Sequence, residues 1–271
     1  MTMDKSAIEH IQSTAIAAAQ TLQVELPDGI AALPDNYSLH DLEPYLAERK
    51  RFRGKMLTAS IADFVSFVKG EGVKGAGFID ADDHEATVFF NLGTKDAPGH
   101  ADHRAVLTLK RTAAFTALLK ADGSRADQRG LIDWIEDWAG NLRAYGTNPG
   151  ESKSLTEALA AIRQVTIKAS KETESTEEDF RGARSTMEEV EAKSRIGLPG
   201  GFLFTCEPYL GLPSREFQLR LAVITSSEKP LLSLRIVRRE AAEEAIAEDF
   251  KVTLIRKIGD AATMTIGTFT P

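Results

Sequence analysis

Four stretches near the C-terminal end, 202–206, 217–224, 231–237 and 251–258, alternate apolar with polar residues or run apolar at strand length. That rhythm constrains the fold more than any other feature of the chain. Phe217, Leu219 and Leu221 alternate with Gln218, Arg220 and Ala222, the pattern of a sheet with one buried and one wetter face. A helix over 241–250 interrupts the set, and 263–269 adds a last strand. The C-terminal part therefore reads as an antiparallel sheet with one or two packed helices.

The first half reads differently. Ile8, Ile11, Ala15, Ala18 and Leu22 form one stripe of a helix over 6–22, suited to a core or a neighbouring subunit. The turn clusters Pro27-Asp28-Gly29 and Leu33-Pro34-Asp35-Asn36-Tyr37 end it. Ser60 caps a helix to residue 69, on which Ile61, Phe64, Val65 and Val68 recur at helical spacing. Strands at 77–80 and 86–92 close into a hairpin through Asp80-Ala81-Asp82-Asp83-His84, and a third strand spans 103–109. Thr112 caps a helix carrying Phe115, Leu118 and Leu119. A further helix over 127–142 holds both tryptophans, Trp134 and Trp138, beside Asp133, Glu136 and Asp137, whose carboxylates read as a solvated helix face.

Gly146-Thr147-Asn148-Pro149-Gly150 is the clearest break. After it, a helix over 154–171 carries Leu155, Leu159, Ile162 and Val165, a stripe suited to a subunit contact. Residues 171–193 are acid-rich with few large apolar side chains and read as an exposed extension. The expected fold class is α+β: a helix-rich N-terminal half with a small antiparallel sheet, then the C-terminal antiparallel sheet. The expected regions are 1–146, 147–200 and 201–271.

A net charge of −7 over 271 residues argues against attachment to nucleic acid through a diffuse positive field. One local basic run, Arg49, Lys50, Arg51, Phe52, Arg53 and Lys55, is the candidate contact for phosphate or an acidic partner. The single cysteine, Cys206, lies in a strand pattern and reads as a small buried hydrophobe in a cytosolic protein. No stretch approaches eighteen consecutive apolar residues and no leader pattern opens the chain, so neither membrane spanning nor export is expected.

No phosphate-binding loop, dinucleotide fingerprint, nucleophile elbow or thiolate zinc pattern occurs. The one concentration of ligating groups is His84, His100, Asp102 and His103, with Asp80, Asp82 and Asp83 close in sequence. Imidazole and carboxylate suit a divalent metal, which would generate hydroxide for hydrolysis of nucleotides or nucleic acid. In an extended 100–103 segment, however, His100 and Asp102 face one side and His103 the other. The competing reading gives His100 and Asp102 to backbone hydrogen bonds after the Pro98-Gly99 turn. His10 and His40 have no partners in sequence and read as surface residues.

Several segments carry a resemblance: Leu33-Pro34 with Asp41-Leu42-Glu43, Phe89-Phe90-Asn91-Leu92-Gly93, Pro98-Gly99-His100-Ala101-Asp102, 107–115, Ile135-Glu136-Asp137 and Leu219-Arg220-Leu221. With these the chain resembles the YfdQ-like family of phage and prophage proteins. The resemblance implies a phage-derived gene expressed in a bacterial cytoplasm and brings no catalytic class with it. The expectation is a non-enzymatic accessory protein without a cofactor. It is expected to self-assemble into a homo-oligomer, a closed particle being one form, and to bind a host or phage macromolecule. The alternatives are the metal-dependent hydrolase and a replication or recombination accessory protein that touches DNA through the basic run.

Overall fold

A computed structural model describes residues 4–21, 43–164, 197–224 and 231–271. The chain forms two units, 1–52 and 53–271. The first contains helix α1 (Lys5–Thr21) and a 3-10 turn at Glu43–Tyr45. On α1 the large apolar side chains are out in solvent: Ile8, Ile11 and Ile16 are 43%, 55% and 57% exposed.

The second unit contains two sheets. Its elements in order are β1 (Gly54–Thr58), α2 (Ile61–Gly70), β2 (Gly75–Asp80), β3 (Glu85–Phe89), β4 (His103–Thr108), α3 (Ala113–Ala121) and β5 (Arg125–Ala126). Next come α4 (Gln128–Asp137), β6 (Leu142–Tyr145), β7 (Ser152–Lys153), α5 (Leu155–Arg163), β8 (Gly201–Cys206), β9 (Arg215–Ile224), β10 (Leu231–Ile236), α6 (Arg239–Ile258) and β11 (Ala262–Ile266). The fold class is α+β, as the sequence predicts.

The five-stranded sheet has the order β1-β4-β3-β2-β11, and the six-stranded sheet β5-β10-β9-β8-β6-β7. Within the first, β2, β3 and β4 form the expected antiparallel meander. Two parallel strands, β1 on β4 and β11 on β2, extend it on either side and make the sheet mixed. The second sheet is antiparallel throughout. It takes β5 and β6 from the expected N-terminal region and β7 from just beyond it, and the glycine-rich break at 146–150 is the turn between β6 and β7.

Local signals set most helix starts. The Ser60 hydroxyl accepts from the Asp63 amide, and the Thr112 hydroxyl from the Phe115 amide. Ser154 and Glu157 form a complete capping box. The strand expected over 251–258 is instead the second half of α6, which runs unbroken from Arg239. Val252, Leu254 and the residues around them alternate as a strand would. Ile246, Phe250, Thr253, Leu254 and Ile258 nevertheless recur at three- and four-residue steps, and this stripe is what the fold buries.

One contiguous core draws on both sheets, on Phe64 and Val68 of α2, and on Phe250 and Leu254 of α6. Part of the stripe expected to face a subunit, on α5, packs within the chain. Ile162 is fully buried, Leu155 and Leu159 pack against the core, and Val165 lies outside the described residues. Phe250 has no exposed surface. Phe250→Ala is expected to lower stability by about 3–5 kcal/mol, read as a shifted urea midpoint at unchanged slope.

Candidate functional site

The loop from Asn91 to Asp102 closes on itself. Gly99 N–H donates to the Leu92 carbonyl at 2.8 Å, Ala101 N–H to the Asn91 carbonyl at 3.2 Å, and Gly93 bridges Pro98. The Asn91 side chain holds the far end. Its amide donates to Asp102 Oδ1 at 2.8 Å, and its oxygen accepts from the His103 amide at 3.0 Å. Ala101 is buried with φ +53°, a left-handed conformation that costs a non-glycine residue energy and that this bonding holds in place. The Asp102 side chain is thus bonded to a side-chain amide, where backbone was expected. His100 is exposed.

His103 points the other way, into the core. Its ring lies 4.8 Å from the Phe90 ring, and Nε2 lies 2.7 Å from Glu71 Oε2, a carboxylate at the end of α2. His84 sits at the opposite end of the same strands, where its carbonyl accepts from the Leu109 amide. From there to Phe90, the residue that donates to the His103 carbonyl, are six extended steps, roughly 20 Å. The set His84, His100, Asp102 and His103 therefore does not meet at one point. Among the described residues no group of three or more His, Cys, Asp or Glu side chains is arranged to hold a metal ion.

His84 does line a cavity. Asp80 Oδ1 accepts from the Asp83 amide to shape the β2–β3 turn, and His84 leaves that turn with φ +55°. Its ring stacks on Tyr209 at 4.4 Å, beneath a cleft of about 470 Å³. Asp82, Asp83, Arg111 and Phe115 line the cleft together with Glu240, Glu243 and Glu244 of α6. Burial pulls the His84 pKa below 6.5, a backbone contact at Asp82 opposes this, and the Arg111 charge adds to the lowering. Nε2 is buried with no hydrogen-bond partner among the described residues. The cleft offers aromatic side chains and several carboxylates, with Arg111 among them. Cys206 is buried elsewhere, its thiol pushed up to about 12 by desolvation, and is no thiolate. Sequence reasoning missed Arg111, Tyr209 and the α6 glutamates because tertiary contacts, the bridge between Arg111 and Tyr209 among them, bring these segments to the cleft.

The basic run is divided: Arg49, Lys50, Arg51 and Phe52 belong to the first unit, Arg53 and Lys55 to the second. Phe52 is 75% exposed, and Lys55 is an exposed residue of β1. On α4, Glu136 pairs with Arg163 at 2.9 Å and Asp133 with Arg129 at 4.0 Å, the ion pairs of a solvated helix face. His10 is exposed on α1, and His40 lies outside the described residues. Among the described residues no helix is long and apolar enough to cross a membrane.

The chain matches, over residues 4–269, the family described as "Uncharacterized conserved protein (DUF2303)", and it belongs to that family. No curated protein and no solved structure matches it.

A lowered pKa at His84 means that the unfolded chain takes up this proton more readily than the folded one. The stabilisation from the neutral ring is complete above pH 6.5 and is lost as the pH falls below that value. His84→Asn tolerates the left-handed turn and removes the titration. Its urea midpoint is expected to fall less than that of the unaltered protein between about pH 7.5 and pH 5. Parallel curves would mean that other groups set the acid limit.

Proposed function

We propose that this DUF2303 member is a non-enzymatic accessory protein of the YfdQ-like, phage or prophage kind, acting in the bacterial cytoplasm as a homo-oligomer. The observation that carries the reading is the state of α1. A 17-residue helix is marginal in water without a packed face, and here Ile8, Ile11 and Ile16 are 43%, 55% and 57% exposed. A second copy of the same helix offers a matching apolar face, and burial of each isoleucine is worth about 1.5–3 kcal/mol. The phage origin and the compartment rest on the segments that resemble the YfdQ-like family. The non-enzymatic reading rests on the divergence of the histidine set and the protonated, buried thiol.

Light scattering coupled to size exclusion is expected to give a uniform mass that is a multiple of one chain. The double substitution Ile8→Glu and Ile11→Glu is expected to reduce it to one chain while leaving the thermal melt of the second unit unchanged. A one-chain mass for the unaltered protein across about 1–100 μM would remove the oligomer from the account.

A further inference from the structure

The six-stranded sheet has two unlike faces. Phe202, Phe204, Leu219 and Leu234 are buried on the side that takes α4, where Trp134 stacks on Phe204 with centroids 5.8 Å apart. Alternation sends five charged residues to the other side, Arg125, Arg143, Glu216, Arg220 and Arg235, and all five are exposed. Arg143 is paired with Glu216. Among the described residues Arg125, Arg220 and Arg235 have no side-chain partner. Register places Arg220 directly opposite Arg235, about 5 Å away at Cα. Arg125, opposite Ser233, is the diagonal neighbour of Arg235 on the next strand, at about 7–8 Å. Two other carboxylates adjoin β5. Asp122 is in an ion pair with Arg239, and Asp127 caps α4, the helix of the covered side. Glu207 follows β8 six extended residues from Gly201, the partner of Arg220, roughly 20 Å away. The face thus sets four arginines against one glutamate in a chain of net charge −7, and it stays cationic with Asp127 counted.

We propose that this face docks the phosphate backbone of a nucleic-acid duplex without reading its sequence, with Arg125, Arg220 and Arg235 donating to phosphate oxygens. Like charges directly opposite one another destabilise a ladder, and an anion seated between Arg220 and Arg235 removes that repulsion. A guanidinium presents a planar fork of N–H donors that matches two phosphate oxygens. The surroundings select the occupant. Small anions are held in concave sites, whereas these three side chains stand on exposed strands. A protein partner anchors on aromatic and apolar side chains, and among the described residues this face exposes no large apolar one. A phosphate backbone needs only the cations, because counterion release supplies its affinity. The one aromatic residue of the face, Tyr145, is 3% exposed and offers no ring to a base. A duplex, with twice the charge per length of a single strand, therefore suits the face better. The site is separate from self-association through α1.

The test is fluorescence anisotropy of a labelled DNA duplex of about 20 base pairs with the full chain, in two unrelated sequences and at several salt concentrations. Both sequences are expected to bind alike, and more tightly than either single strand. The slope of log K against log salt is expected at about −2.7, three phosphate contacts on a duplex. The pair Arg220→Gln and Arg235→Gln should reduce that slope by about 1.8 and the affinity at about 50 mM salt by at least tenfold. Arg220→Lys with Arg235→Lys should keep the slope, since the charges remain. By circular dichroism the glutamine pair should melt no lower than the unaltered protein, because the opposed like charges are gone. Lys55→Gln with Arg104→Gln, an equal loss of charge on the five-stranded sheet, should leave binding unchanged. No duplex binding at about 50 mM salt, or the same loss from both glutamine pairs, would overturn the proposal. So would tighter binding of an oligoglutamate or of phosphatidylserine vesicles, which would make the occupant an acidic protein segment or a membrane.

Discussion

Burial of one side of α6 is the constraint on which the second unit depends. The helix leaves β10 in the six-stranded sheet and delivers the chain to β11 in the five-stranded one, so it is the covalent link between the last strands of both. Phe250 and Leu254 are fully buried, with Ile246 and Ile258 nearly so. Ion pairs fix its position along the axis: Arg215 with Asp249 at 2.6 Å and Arg239 with Asp122 at 3.1 Å. Asp122 also accepts from the Ile236 amide at 2.8 Å, so one carboxylate ties α3, β10 and α6 together. Only with α6 seated can β11 lie parallel to β2 and bring Phe269 over Phe78.

What was legible in the sequence follows from how local each signal is. The period of two in β9 maps directly onto burial, with Phe217, Leu219 and Leu221 inside and their neighbours more exposed. Ser60, Thr112 and Ser154 cap helices because a hydroxyl three residues before an amide is a local fact. Residues 251–258 failed because a β-branched run with alternating apolar residues satisfies both periods over so short a window, and only the buried stripe beginning at Ile246 decides between them. The two-residue strands β5 and β7 exist through their partners, β10 and β6, and have no propensity signal of their own. The parallel pairing of β1 with β4 and β11 with β2 is likewise set by tertiary contact, since no turn specifies it.

The candidate site shows the same limit. Proximity in sequence made His84, His100, Asp102 and His103 look like one group, yet a β-hairpin sends residues near its two ends far apart. The segment 100–103 is not the extended one on which the alternation argument rested, since Ala101 is left-handed, and His103 turns inward to Glu71, 32 positions away in sequence. Asn91 gave no warning of its importance, although its one side chain satisfies both Asp102 and the His103 amide. A polar residue with two acceptor sites and two donors is inconspicuous in a sequence. At the neck of a tight loop it settles the conformation, because buried backbone groups there would otherwise go unpaired.

Net charge also reads differently once it is distributed. Averaged over the chain, −7 speaks against nucleic acid. The structure gathers five carboxylates around the His84 cleft, Asp82 and Asp83 on the β2–β3 turn and Glu240, Glu243 and Glu244 on α6. That turn lies beyond the Thr108 end of β4, whereas Arg104 and Lys55 lie toward the other end. Four extended residues separate Arg104 from Thr108, about 13 Å. This exceeds the Debye length of about 10 Å at 0.1 M salt. Interactions between the cleft and Arg104 are therefore largely screened at physiological ionic strength.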